Sequence, residues 1–327
     1  MESQDAVQFG ALKMSKSNHT AFIYHTLCLG HNMGEGHPES PNRLAEIKKH
    51  LIAKDIFSKL QLVKAPAAKK EDWYRVHDEQ YVKALFDSAP TSGTNRLDTD
   101  TAMNSGTLPA ALRASGAVIK AVDMVMKNEI SNAFCAVRPP GHHAGRDFPM
   151  GFCFVNNVAI GAAYAMEKYH LQRILIVDFD IHHGNGTEDI FKDDERIMLI
   201  SVFQHPFFPY SGDKKMGTNN NIIGFPLPEG TGGLEIREIM LEQWLPLIEQ
   251  FSPELIIVSA GFDAHSEDDM GAFTLTEADF SWITNQLKRW AKKHCQGRLI
   301  SVLEGGYDAA PLARSVVAHI NALLENR

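Results

Sequence analysis

The tightest constraint on this chain is where its charged residues fall, which is directly at the ends of short apolar runs. Six runs, residues 21–24, 133–137, 174–177, 197–202, 255–259 and 299–303, are short and apolar enough to be buried strands. Helical spacing fills the intervals between them, over residues 108–126, 157–169, 234–251, 277–293 and 311–324. A further helix is expected after Ser40 and Pro41, as N-cap and first-turn residues, because Leu44, Ile47, Leu51 and Ile52 recur on one face. Such alternation predicts an α/β fold, a central parallel β-sheet with helices on both faces. In an open parallel sheet, ligands sit beyond the carboxyl ends of the strands. Four of the runs lead straight into polar clusters: Arg138 to His143, Asp178 to Gly184, Gly261 to Asp263, and Glu304 to Tyr307. They are therefore expected to converge on one site.

No linker rich in Pro, Gly or Ser interrupts the pattern, so residues 19–327 read as one domain behind a polar, unpatterned arm over residues 1–18. A formal charge of -8 without a basic run excludes a protein that grips nucleic acid through phosphates. The four cysteines form no C-x-x-C pair, which argues against a zinc knuckle or disulfide framework and for a reducing, cytoplasmic setting. No apolar run reaches the ~18 residues of a membrane span.

Asp178, Asp180 and His182 stand two apart, so an extended backbone turns all three to one side. Acids at the end of a buried run need a partner or a cation. Two carboxylates and one imidazole leave a fourth metal position open, as in catalytic zinc sites, and the second carboxylate can come from Asp263, which follows its own buried run. His142 and His143, on a Pro-Gly loop, suit a site needing a base and an acid, whereas His183 can be structural. The chain has no G-x-S-x-G elbow, P-loop or G-x-G-x-x-G, so metal-activated water is the natural nucleophile. Tyr307 follows two glycines and can donate a hydrogen bond to a developing oxyanion, worth about 3 kcal/mol.

Five motifs then occur in order: Arg138-Pro-Pro-Gly-His-His-Ala144, Gly151-Phe-Cys-Phe-Val-Asn-Asn157, Asp178-Phe-Asp-Ile-His-His-Gly-Asn-Gly186, Gly261-Phe-Asp-Ala-His265 and Leu303-Glu-Gly-Gly-Tyr307. Together they resemble the histone deacetylase family of the arginase/deacetylase superfamily. Glu304, Asn185 and the segment His37-Pro-Glu-Ser-Pro-Asn-Arg43 resemble its class II members and bacterial relatives, including acetylpolyamine amidohydrolases.

The resemblance implies one Zn2+ per chain, held by Asp180, His182 and Asp263. Tyr307 would meet the scissile carbonyl, His143 would be the principal base and acid, and His142, oriented by Asp178, would tune the electrostatics. Asn185 stands where class I relatives carry an aspartate behind the second histidine. Phe152 and Phe208 would wall a tunnel for the acyl-lysine stem, with Gly151 and Gly305 beside it. K+ would bind backbone carbonyls around Asp178, Asp180 and His182, near Ser201 and Val202. Asp98, in preference to Asp100, resembles the rim acid that holds the substrate backbone. Met270 stands where polyamine-selective relatives carry glutamate, favouring acetylated lysine in proteins over a small acetylated amine. The nearby Glu267, Asp268 and Asp269 could still attract a polyamine. The resemblance also implies a homo-oligomer, dimer or tetramer, formed through the arm or the loop Phe207-Phe-Pro-Tyr210. The rival readings are a two-metal ureohydrolase of the same superfamily, for which this ligand set is short of carboxylates, and a pocket that binds acetylated ligands without turnover.

Overall fold

A computed structural model describes residues 19–212 and 221–325; the arm expected over residues 1–18 lies outside them. The strands are β1 Thr20–Tyr24, β2 Gln61–Lys64, β3 Thr94–Arg96, β4 Ala102–Asn104, β5 Asn132–Ala136, β6 Ile174–Asp178, β7 Ile197–Gln204, β8 Ile222–Leu227, β9 Leu255–Ala260 and β10 Leu299–Leu303. Eight of them form one sheet in the order β2-β1-β5-β10-β9-β6-β7-β8, every pair parallel. β3 and β4 make a separate antiparallel hairpin.

Period-two alternation explains how near-continuous apolar strands serve two cores. Along β6 and β9, Ile174, Ile176, Leu255 and Ile257 face one cluster, where the helices Thr107–Met126 and Asn157–Tyr169 pack. Leu175, Val177, Ile256 and Val258 face the other, covered by Asn42–Ala53, Glu277–His294 and Ala309–Leu324. Fully burying each such side chain stabilises the fold by about 1.5–3 kcal/mol relative to leaving it exposed. Both faces are therefore committed, and only the strand ends are left for chemistry.

The six expected strands are all present, and the four further ones are the two edge strands of the sheet and the hairpin of β3 and β4. β2 and β8 were not expected: β2 is mostly exposed, and β8 carries Gly224 and Pro226, which an edge strand tolerates because one side has no ladder to complete. Ser40 does not cap by its side chain; its carbonyl accepts from Arg43 N at 3.2 Å, and Pro41 is the capping residue. The helix expected over residues 234–251 contains a π turn, Met240–Trp244, with Leu245 N bonded to Met240 O. Pro246 follows at once, and a wider turn relieves the crowding its ring imposes on the preceding residues.

Candidate active site

β5, β10, β9 and β6 are four adjacent strands at the centre of the sheet, and all four polar clusters emerge from their carboxyl ends. β10 and β9, the later strands in sequence, lie between β5 and β6. That insertion brings residues 125 positions apart into contact: Gly305 N donates to Asp180 Oδ2 at 2.8 Å.

Asp180, His182 and Asp263 gather their ligand atoms within 4.8 Å of one another, all three buried. His182 Nδ1 lies 3.0 Å from Asp180 Oδ1 and 3.1 Å from Asp263 Oδ2. The remaining carboxylate oxygens are held by the backbone: Asp263 Oδ1 accepts from Ile181 N at 3.1 Å and Asp180 Oδ2 from Gly305 N, while Asp180 Oδ1 also accepts from His182 N at 2.9 Å. Burial opposes a charge on His182, yet the two acids outweigh it and raise its pKa to about 10. Burial and the neighbouring Asp180 push Asp263 up to about 7. Such a group stores more negative charge than its surroundings neutralise, and a divalent cation on two oxygens and one imidazole nitrogen fits that deficit and the donor chemistry of zinc. The packing leaves no slack, since a Cβ at Gly305 would stand 2.1 Å from Asp263 Oδ2.

The two histidines of the β5 loop have opposite surroundings. His142 Nδ1 is 2.9 Å from Asp178 Oδ2, and its Nε2 is 3.8 Å from Asp180 Oδ2. Burial lowers its proton affinity, but Asp180 and Asp178 prevail and lift the pKa to about 10. His143 Nδ1 is 2.8 Å from the Asn185 amide oxygen, while Asn185 Nδ2 donates to Met150 Sδ at 3.3 Å. With the amide so oriented, Nδ1 carries the proton and Nε2 keeps its lone pair. Burial, then the charges of His142 and His182, hold His143 well below the usual imidazole range. The His142 ring thus carries a proton on each nitrogen, and the His143 ring is free to take its second.

A cavity of about 350 Å³ opens onto these groups. His143, His182 and Tyr307 face it, with Gly151, Phe152, Phe207, Phe208 and Met270 as walls and Asp100 and Asp269 as its acids. Phe152 and Tyr307 pack edge to face at 5.6 Å, and Phe208 meets His143 edge-on at 5.2 Å. Phe152 has φ +68, and Gly151 before it has no room for a side chain, since a Cβ would meet His143 Cδ2 at 2.4 Å. Burial keeps the Tyr307 phenol protonated, with a pKa well above the usual range, and so a donor.

Of the two rim candidates, Asp100 lines the cavity, accepting from Gly151 N at 3.2 Å and from Thr101 Oγ1 at 2.8 Å. Asp98, the one the resemblance favours, instead accepts from Thr99 N at 2.6 Å and is not among the lining residues. Ser201 lies on β7 as the register partner of Asp178, its Oγ 3.4 Å from His183 Nδ1, with Val202 next to it. His183 is paired with Glu188 at 2.5 Å. The acids after Asp263 do not act as a group. Asp268 is 4% exposed and bonded to backbone, Glu267 is paired with Arg314 at 2.7 Å, and only Asp269 reaches the cavity.

A layer of buried charges to which the sequence alone gives no role lies beneath. Glu39 takes both Nε and Nη2 of Arg138 and, at 3.1 Å, Nη1 of Arg43, with all three side chains buried. Arg43 then donates to the carbonyls of Glu304 and Gly306, and its guanidinium lies 4.9 Å from the Tyr307 ring centroid. Glu304 accepts from Gly141 N at 2.6 Å and His142 N at 3.2 Å, fastening the histidine loop to the end of β10. The sequence signals for this layer are Arg138 and Glu304, in the motifs that follow two apolar runs, and the segment from His37 to Arg43, whose charges could equally be solvent-facing.

Comparison with known proteins gives one family: the model of the histone deacetylase domain matches residues 37–323. The chain is 37% identical to a probable deacetylase of Archaeoglobus fulgidus, over 88% of this chain and 81% of that protein. It is 35% identical to a histone deacetylase-like amidohydrolase of Pseudomonas aeruginosa, over 89% and 82%. Against type-2 histone deacetylase 2 of Dictyostelium discoideum it is 36% identical across 94% of its own length but spans 21% of that protein. Among solved structures, the HDA15 HD domain superposes with a TM-score of 0.89 at 32% identity, covering 94% of this chain and 88% of that one.

Proposed function

This chain belongs to the histone deacetylase family, and from that premise we propose that it is a zinc-dependent deacetylase hydrolysing the amide of N-acetylated amines, with acetyl-lysine side chains as its main substrates. The observation that carries this reading is the meeting of Asp180, His182 and Asp263 at the cavity that His143 and Tyr307 also line.

Asp180, His182 and Asp263 would hold one zinc ion, which when bound supplies Lewis-acid polarisation of the acetyl carbonyl and acidifies the attacking water. His143 Nε2, its lone pair exposed by the Nδ1 bond to Asn185, takes the proton of that water and returns it to the departing amine nitrogen. Tyr307 donates its phenolic proton in a hydrogen bond to the oxygen that gains negative charge. His142, kept charged by Asp180 and Asp178, adds a positive field behind the reacting atoms and leaves proton transfer to its neighbour. Phe152, Phe207 and Phe208 exclude water and fit a methylene stem. K+ would take carbonyls of the segment from Asp178 to His182 beside Ser201 and Val202.

Met270 lines the cavity and presents no charge to a substrate's second amine, which supports acetyl-lysine. A small acetylated amine is the second reading, supported by Asp100 and Asp269 at the same cavity. Turnover of an acetyl-lysine peptide compared with N-acetylputrescine and N-acetylspermidine tests the choice, and a strong preference for the polyamines overturns it. The ureohydrolase reading loses ground because Asp180, His182 and Asp263 form the one such metal-binding group among the described residues. One zinc per chain by elemental analysis and acetate release on incubation test it and the binding-only reading together.

Among the described residues no helix is long and apolar enough to cross a membrane; we place the protein in the cytoplasm. We also propose a homo-oligomer, dimer or tetramer, to be measured by light scattering. In the loop considered for contacts, Phe207 and Phe208 line the cavity, whereas Tyr210 is 76% exposed.

A further inference from the structure

Tyr307 sits at the end of a soft segment. Gly305 and Gly306 precede it, and Gly306 has φ +112, so the backbone leading to the phenol has little intrinsic stiffness. Arg43 Nε holds the Gly306 carbonyl at 2.5 Å from the amino-terminal side. On the carboxyl-terminal side a single carboxylate does the corresponding work: Asp268 Oδ2 accepts from Tyr307 N at 2.6 Å and Asp308 N at 3.0 Å.

The other oxygen of the same carboxylate, Oδ1, accepts from Met270 N at 3.0 Å. Asp268 is 4% exposed, and its own N–H donates to His265 O at 2.9 Å, so the side chain is locked from both ends. Of the three residues whose N–H groups it fastens, Tyr307 and Met270 line the cavity. Charge-assisted hydrogen bonds are the strong ones, and three of them converge here on one buried group.

We propose that Asp268 is a positioning residue for the hydrolytic reaction, setting the backbone of Tyr307 and the rim residue Met270 against each other so that stem recognition and oxyanion stabilisation share one geometry. The proposal rests on Tyr307 being the oxyanion donor, as the preceding reading holds. The carboxylate neither touches substrate nor transfers a proton. Its contribution is to keep the phenol within the fraction of an ångström that such stabilisation requires.

The test is a double-mutant cycle on the zinc-loaded enzyme with an acetyl-lysine peptide, in which kcat and KM are measured separately. Asp268→Ala is expected to lower kcat roughly 100-fold. Asp268→Asn retains one acceptor oxygen for two sets of N–H groups and is expected to fall between Ala and the parent. In a Tyr307→Phe background either substitution should change kcat by less than about threefold, since residues acting through one another are not additive. Equal losses in both backgrounds, at unchanged zinc content and melting temperature, overturn the proposal. If Asp268→Ala does not fold, Asp268→Asn carries the same comparison alone. Full activity of Tyr307→Phe by itself would instead overturn the underlying role of the phenol.

Discussion

The imidazole Nδ1 of His143 lies 2.8 Å from the amide oxygen of Asn185, so the ring proposed as the proton carrier is oriented by a neutral group. An amide fixes the tautomer and favours the protonated ring only through its dipole, whereas a carboxylate would add a full opposite charge. His142 has the carboxylate, Asp178, at 2.9 Å. Asp180 and Asp178 raise His142 while burial and the charges of His142 and His182 lower His143, which divides the pair into a charged member and a basic one.

Asn185→Asp should move the acid limb of the kcat/KM profile to higher pH, because the added carboxylate favours the imidazolium and leaves less free base below that limb. Asn185→Ala should lower kcat roughly tenfold or more by releasing the ring. A pH-rate series on the three forms checks both, and an unchanged acid limb in Asn185→Asp would remove His143 as the titrating base.

Gly305→Ala should empty the metal site. Its Cβ would be 2.1 Å from Asp263 Oδ2 and 2.6 Å from Asp180 Oδ2, so the acids must separate. Zinc content after dialysis should fall and activity with it. The parent, stripped by a chelator, should lose activity and thermal stability and regain both with one equivalent of zinc; saturation at 1,000 times Kd corresponds to about 4 kcal/mol.

Glu39→Gln should destabilise the fold by about 3–5 kcal/mol, since it leaves Arg138 and Arg43 charged, buried and without their anion. Burial pushes the Glu39 carboxyl up, but Arg138 and the His31 hydrogen bond hold it well below the usual carboxylate range. Its contribution is therefore present at neutral pH and lost only in strong acid. Denaturant melts at pH 7 measure the difference.

Two buried histidines outside the site predict the behaviour in mild acid. His319 donates from Nδ1 to Thr284 Oγ1 at 2.7 Å, Thr284 itself donating to Phe280 O, and accepts at Nε2 from Ser301 Oγ at 2.8 Å. His77 donates to Gly145 O at 2.7 Å and accepts from Asn156 N at 2.9 Å. Burial lowers their pKa values to about 3 and about 4. The unfolded chain protonates both near pH 6.5, so it binds more protons than the folded one below that pH. Stability should therefore be full above about pH 6.5 and fall by about 1.4 kcal/mol per pH unit per histidine, for His77 until about pH 4 and for His319 until about pH 3. His319→Gln should flatten the slope in urea melts run between pH 4.5 and 7.

Much of the site could be read without coordinates because its parts are local. Asp178, Asp180 and His182 follow one apolar run and alternate, and His142 and His143 are neighbours. The rest depends on contacts between distant segments. Asp98 and Asp100 are alike in sequence, and only the hydrogen bond from Gly151 N to Asp100 distinguishes them. Asp268 stands between two exposed acids and is itself buried because the backbone N–H groups of Tyr307 and Asp308 come to meet it from 39 and 40 residues away.

The sequence by itself determined which segments become buried strands and which chemically capable residues sit at their carboxyl ends, because side-chain periodicity and chain adjacency act over a few residues. The tertiary structure decided the order in which those strands lie. By placing β10 and β9 between β5 and β6 it joined Asp263 to Asp180 and His182 and tied Gly305 to Asp180. That order follows from how helices cover both faces of the sheet, a balance of burial over the whole chain that no local pattern contains.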